Sequence, residues 1–200
     1  MLKQFPAQFA SIIASTLLVA SCASSPEANL YILDGQSGSV VADWSAQDLA
    51  IIVGPTGIPS YLKRDEIVTR DQRHQIETLE YEQWADQLGR NVSNVLVENI
   101  SDHLNTQRVF AYESNFVTQA DIALRIDITR FELEQGRTVT LNATWEIENR
   151  RTGATSLKSA SFSTDARSRE AADIVAAMSD NLDKMALDMS EHLVATRAAS

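Results

Sequence analysis

The residues in this chain that could do chemistry are few, and their spacing argues against most of it. There is one cysteine, Cys22, and there are three histidines, His74, His103 and His192, too far apart in sequence to suggest a Cys/His metal site. A lone thiol makes no intramolecular disulfide. His103 follows Asp102, but adjacent residues of a helix point about 100° apart, so the two form no dyad and read as solvated helix surface. No Gly-x-Ser-x-Gly elbow, Walker loop, His-Glu-x-x-His pair or dinucleotide fingerprint occurs. Gly54-Pro55-Thr56-Gly57 is a poor phosphate cradle, because Pro55 has no N–H to donate. The expectation is a protein without catalytic residues, metal or cofactor.

Cys22 is explained by what precedes it. The chain starts Met-Leu-Lys, carries no acidic residue before Glu27, and has an apolar run from Phe9 to Ala20 broken only by small hydroxyl residues, the layout of a secretory signal. A permanent membrane span needs about 20 apolar residues, so this run is too short. Val19-Ala20-Ser21-Cys22 then resembles a bacterial lipobox. That resemblance implies a signal peptide over residues 1–21 and lipid on Cys22; the other reading is a secreted protein with a coincidental cysteine. Each buried CH₂ contributes about 0.8 kcal/mol, so one acyl chain holds marginally and two or three hold essentially for good. Ala23 stands where an aspartate would resemble an inner-membrane retention signal, and by analogy the expected location is the inner leaflet of the outer membrane, facing the periplasm.

The chain has 17 Lys and Arg against 27 Asp and Glu, a net charge of −10. Lys3 is the only charge in the signal, so the processed chain is one unit more negative. Nucleic acid and anionic membrane surfaces are therefore poor partners by bulk electrostatics. Removing residues 1–21 leaves enough chain for one domain, 30–200, behind a tether at 22–29. Seven tether residues, Ala23 to Asn29, reach about 25 Å at most, so the domain sits on its membrane and a spanning component must come to it.

The hydropathy pattern alternates between strand and helix periods. "LYIL" at 30–33 and "LAIIVG" at 49–54 are short apolar strands, the second ended by Gly54-Pro55, and 66–70 with 74–81 read as a hairpin around "DQR". From Gln83 to Leu104, apolar Trp84, Leu88, Val92, Val95, Leu96, Ile100 and Leu104 fall three or four apart, which predicts a long helix with one buried face. Residues 121–149 form the strongest strand signal, two alternating runs around Gln135-Gly136, with a phase slip that predicts a bulge near Thr129 or Arg130. A weaker strand spans 157–164, and 169–195 is a helix whose methionines fill core. The expected fold is α/β: a mixed, largely antiparallel sheet packed with two long helices, in a single domain.

The unusual stretch is "VGPTGIPSYLKRDEIVTR", 53–70, where two prolines, an aromatic and a leucine sit beside Lys63 and Arg64, with Arg70 and Arg73 close behind. Two readings stay open. One is an exposed partner loop made by Pro55, Pro59, Tyr61, Leu62, Arg64 and Arg70, rigid and partly basic in an acidic chain. The other folds the loop back, with Tyr61 and Leu62 in the core and the arginines paired to Asp65, Glu66 or Glu77.

The same stretch, with "IETLEYEQWADQL" and "VSNVLVENISDHL", resembles the PqiC/YmbA family of auxiliary lipoproteins for ABC-type and MCE-type transport. Gly-Pro, Pro-x-Tyr-Leu, Arg-x-x-Ile-Val-x-Arg and Trp-Ala-x-x-Leu carry the resemblance, in detail over the first half of the mature chain. It implies a non-enzymatic outer-membrane lipoprotein that docks a periplasm-spanning MCE protein so that lipids pass between membranes, possible homo-oligomers included. The alternatives are a structural envelope lipoprotein and a periplasmic lipid hydrolase.

Overall fold

One strand organises the sheet. In the computed structural model, which describes residues 26–198 except 37, 45, 46 and 73, strand β6 (Ile122–Leu133) is paired along both flanks. The signal run, Cys22 and Arg73 lie outside the described residues. On one flank β6 pairs antiparallel with β7 (Thr138–Asn149), which pairs in turn with β8 (Thr155–Asp165). On the other flank two strands divide it. β2 (Ile51–Gly57) runs parallel from Ile51↔Ile122 to Gly57↔Asp127, and β3 (Glu66–Gln72) takes over at Thr69↔Leu133. β4 (Gln75–Trp84) returns from β3 as the expected hairpin, β1 (Asn29–Tyr31) adds to β4, and β5 (Val109–Ala111) adds to β2. The sheet is mixed, with most paired residues in the antiparallel ladders.

The bulge falls where the phase slip predicts it. The β6–β7 register shifts between Ile128 and Arg130, and the extra residue lets Ile128, Phe131 and Leu133 all stay buried. Helices α1 (Leu88–His103) and α2 (Ala171–Ala198) pack on one face of the sheet and against each other. Leu141, Ala143, Trp145 and Ile147 of β7 point into this layer, and Met178, Met185 and Met189 fill it from α2. The opposite face of β6–β8 is polar and open over the middle of the strands: Arg125 reaches Glu146 and Glu148, both at 2.6 Å, and Thr144 meets Ser159 at 2.8 Å. An antiparallel sheet can leave one face in water when its strands alternate in this way.

Two expectations are corrected here. Trp84 is buried, but it ends β4, and the helix starts only at Leu88. Its backbone N–H donates to Asp65 O at 2.7 Å, a bond between extended segments that a helical Trp84 would not make. His103 is also buried rather than solvated. It lies on the stripe Leu96, Ile100, His103, where spacings of four and three continue the apolar face, and its ring is covered by the segment that follows β1. Nδ1 of His103 bonds Ser39 O at 2.9 Å and Nε2 bonds Asp183 at 3.0 Å, so the strap, α1 and α2 meet at one ring. Gly38 has to be glycine there, because a Cβ would lie 2.0 Å from the ring's Cε1.

Candidate functional site

The loop between β2 and β3 divides its residues between core and surface. β2 breaks its ladder with β6 between Val53 and Thr56, at Gly54, whose φ of +109° favours glycine, and at exposed Pro55, which has no N–H to donate to a neighbour. A 3-10 turn, Ser60–Leu62, then folds the chain back. Leu62 is 1% exposed and belongs to the main core, so it cannot serve as a surface contact. Tyr61 and Arg70 also turn inward, to a carboxylate. Glu132, itself 0% exposed, accepts the Tyr61 hydroxyl at 2.9 Å, Arg70 Nε at 2.8 Å and the Phe131 N–H at 3.1 Å, with Arg130 Nε at 3.4 Å. Burial first, and then the bond to Glu132, push the Tyr61 hydroxyl up to about 12.

The folded-back reading is thus right for Leu62 and for the direction of Tyr61. It misses the partner of Arg70. Glu132 is more than sixty residues away in sequence, and it reads as one of several acids on an alternating strand. No local signal marked it: after the bulge Phe131 and Leu133 pair with Leu141 and Val139 of the core face, so Glu132, opposite Thr140, lies on the other face and is buried there by Tyr61 and Arg70.

What the loop leaves outside is a cleft. Pro55, Thr56, Ile58, Lys63, Arg64 and Asp65 form one wall, and the first turns of α1 with Glu113 form the other, around a volume of about 570 Å³. The walls are tied together by Ser93 Oγ, 2.8 Å from Thr56 Oγ1. Gly89 lies against Ile58 and Thr56, where a Cβ would make only ordinary contacts of 3.7 Å. Lys63 and Arg64 are exposed and make no ion pair among the described residues. Arg90, by contrast, grips Asp86 through Nε at 2.7 Å and through a second guanidinium nitrogen, which holds the Asp86 carboxyl below its usual range. Of the six candidate contact residues, the structure brings Pro55 and Arg64 to this cleft, leaves Pro59 half-buried beside it, and removes Tyr61, Leu62 and Arg70 to the interior.

One Ser–His contact bears on hydrolysis. Ser156 Oγ lies 2.8 Å from His192 Nε2, but the Trp145 indole N–H donates to His192 Nδ1 at 3.2 Å. A nitrogen that accepts carries no proton, so the neutral ring holds its proton on Nε2 and donates it to the serine. Burial and then Lys158 lower the His192 pKa and favour that neutral form. This imidazole is no base towards Ser156. Among the described residues no cluster of three or more His, Cys, Asp or Glu side chains is placed to hold a metal, and no helix is long and apolar enough to cross a membrane.

A mixed sheet with both helices on one face, and a cleft of mixed charge at the end of β2, defines an α/β domain. Two solved structures share the fold: an uncharacterized protein, 14% identical with a TM-score of 0.70 over 84% of this chain and 99% of its own, and protein XCC0632 from Xanthomonas campestris, 15% identical with a TM-score of 0.65 over 80% and 92%. No curated protein matches the chain. The chain belongs to the family of ABC-type transport auxiliary lipoprotein components, whose model matches residues 31–190. That family agrees with the resemblance read from the sequence and makes the protein a transport auxiliary lipoprotein.

Proposed function

We propose that this lipoprotein is held by lipid on Cys22 in the inner leaflet of the outer membrane and docks a periplasm-spanning MCE-type protein of a lipid transport system. The observation that carries the docking reading is the cleft. It is concave, one wall is stiffened by Pro55, and it displays two cations, Lys63 and Arg64, that make no ion pair among the described residues, with Asp65 and Glu113 in the same lining. The two cations give an acidic side chain of a partner a place to dock, Asp65 and Glu113 beside them help to fix its register, and a rigid loop loses little entropy on binding. The short tether supports the same reading, since a domain held within about 25 Å of its membrane meets a distant one only through a longer partner.

The spacer and hydrolase readings are weaker. A spacer has no use for an open cleft with exposed cations, and the Ser156–His192 pair has its proton on the wrong nitrogen for nucleophilic catalysis. The test is co-purification after cross-linking in membranes. Lys63→Glu combined with Arg64→Glu is expected to abolish capture of the spanning partner while the outer-membrane fraction keeps the protein. Undiminished capture would place the docking face elsewhere. Cys22→Ser is expected to remove the protein from that fraction, and its retention there would end the anchor reading.

A further inference from the structure

A second concavity lies at the other end of β2 from the cleft. We propose that it is a binding site for a short amphiphilic anion, of the alkyl carboxylate class, with its chain on an apolar floor and its carboxylate among hydrogen-bond donors at the mouth. The cavity has a volume of about 240 Å³ and opens where β6 begins, β7 ends, β8 begins and α2 finishes. A water's share of liquid volume is about 30 Å³, so the space suits a ligand the size of roughly eight waters, below the range of drug-sized pockets. Leu49, Ile122, Ile147 and Leu193 supply the apolar lining.

Several polar groups at this cavity have donors to offer because their acceptor atoms are already used, although the Thr196 hydroxyl gives its own proton to the carbonyls of His192 and Leu193. Asp121 is the one acid in the lining, and its Oδ2 accepts the Ala50 N–H at 3.0 Å while Oδ1 faces Arg151 at 3.7 Å. Asn149 Oδ1 accepts the N–H groups of Arg151 at 3.0 Å and Thr152 at 3.3 Å, which leaves its amide nitrogen to donate. Ser156 receives the His192 Nε2 proton, so its own hydroxyl proton is directed away from that ring. Arg151, 68% exposed, and Arg197, set over Trp44 at 5.2 Å with one nitrogen donating to Gln47 Oε1 at 2.8 Å, place two guanidinium groups in the lining. A neutral alcohol would meet this donor excess poorly. A carboxylate accepts from several donors at once, and charge-assisted bonds are the stronger kind.

The test titrates the full chain, in phosphatidylcholine nanodiscs, with octanoate, octanol and octyltrimethylammonium by calorimetry, subtracting empty nanodiscs. Octanoate is expected to bind saturably and about tenfold more tightly than octanol, with no saturable binding of the cation. Arg151→Glu is expected to weaken octanoate about tenfold and Ser156→Ala about fivefold. Ala154→Trp, at an exposed position in the lining, is expected to abolish saturable binding with an unchanged melting temperature. Should Ala154→Trp melt early, Arg151→Glu decides alone. Octanol binding as tightly as octanoate, no saturable heat above empty nanodiscs, or full octanoate binding by Arg151→Glu would overturn the assignment.

Discussion

Leu62 and Arg64 are two residues apart in one loop and meet opposite surroundings. Leu62 is 1% exposed in the core, while Arg64 lines an open cleft without an ion pair among the described residues. The inner half of the loop is held by Tyr61 and Arg70 on Glu132, and that fixation makes the outer half a rigid presenter of Lys63 and Arg64. Sequence types alone confuse two roles here: an aromatic and an arginine serve stability, and Lys63 and Arg64 between them face the surface.

The strongest way to break this division is to remove its buried anchor. Glu132→Ala leaves the Tyr61 hydroxyl and the largely buried Arg70 guanidinium without their acceptor, and is expected to cost about 3–5 kcal/mol in chemical denaturation. A loss below about 1 kcal/mol would mean that the loop is seated by something else. Leu62→Ala comes next, at about 2–4 kcal/mol through the cavity it opens.

A pH titration sharpens the same half. Tyr61 keeps its proton to about 12 in the folded protein and loses it near 10 when unfolded, so between these values the folded state binds the extra proton. Its contribution is complete below pH 10 and disappears as pH rises through 12. Stability should therefore fall in that window, and Tyr61→Phe should flatten the fall. The smallest effect belongs to the outer half. Arg64→Glu should move the melting curve by no more than about 0.5 kcal/mol, and a larger loss would assign Arg64 to the structure.

The strands with long alternation were legible because each has one wet and one dry face: Ile122 to Ile128 and Val139 to Ile147 alternate, and their register follows. The lipoprotein family was legible in the motifs around the loop. What stayed hidden depended on residues remote in sequence. Trp84 stands four residues before Leu88, so its spacing suits a helix, and only pairing with β1 and β3 makes it a strand end. β5, three residues long, is too short to show a period. His103 looked solvated because a lone polar residue carries no sign of the strap that covers it. In the candidate site, the cleft needs the α1 N-terminus beside Lys63 and Arg64, a juxtaposition across more than twenty residues that no local pattern encodes.

The strap over His103 also bears on the order in which the chain can fold. Asp34 N–H donates to Ser179 at 3.1 Å and the Ser39 carbonyl meets a ring that Asp183 holds, so segments near the two ends of the chain close on each other. Contacts of such long sequence separation form slowly, because loop closure has to precede any gain from them. The strap that follows β1 is made before α2 and has no complete seat until α2 exists. In a nascent chain the strap then waits for α2, and an early segment settles late.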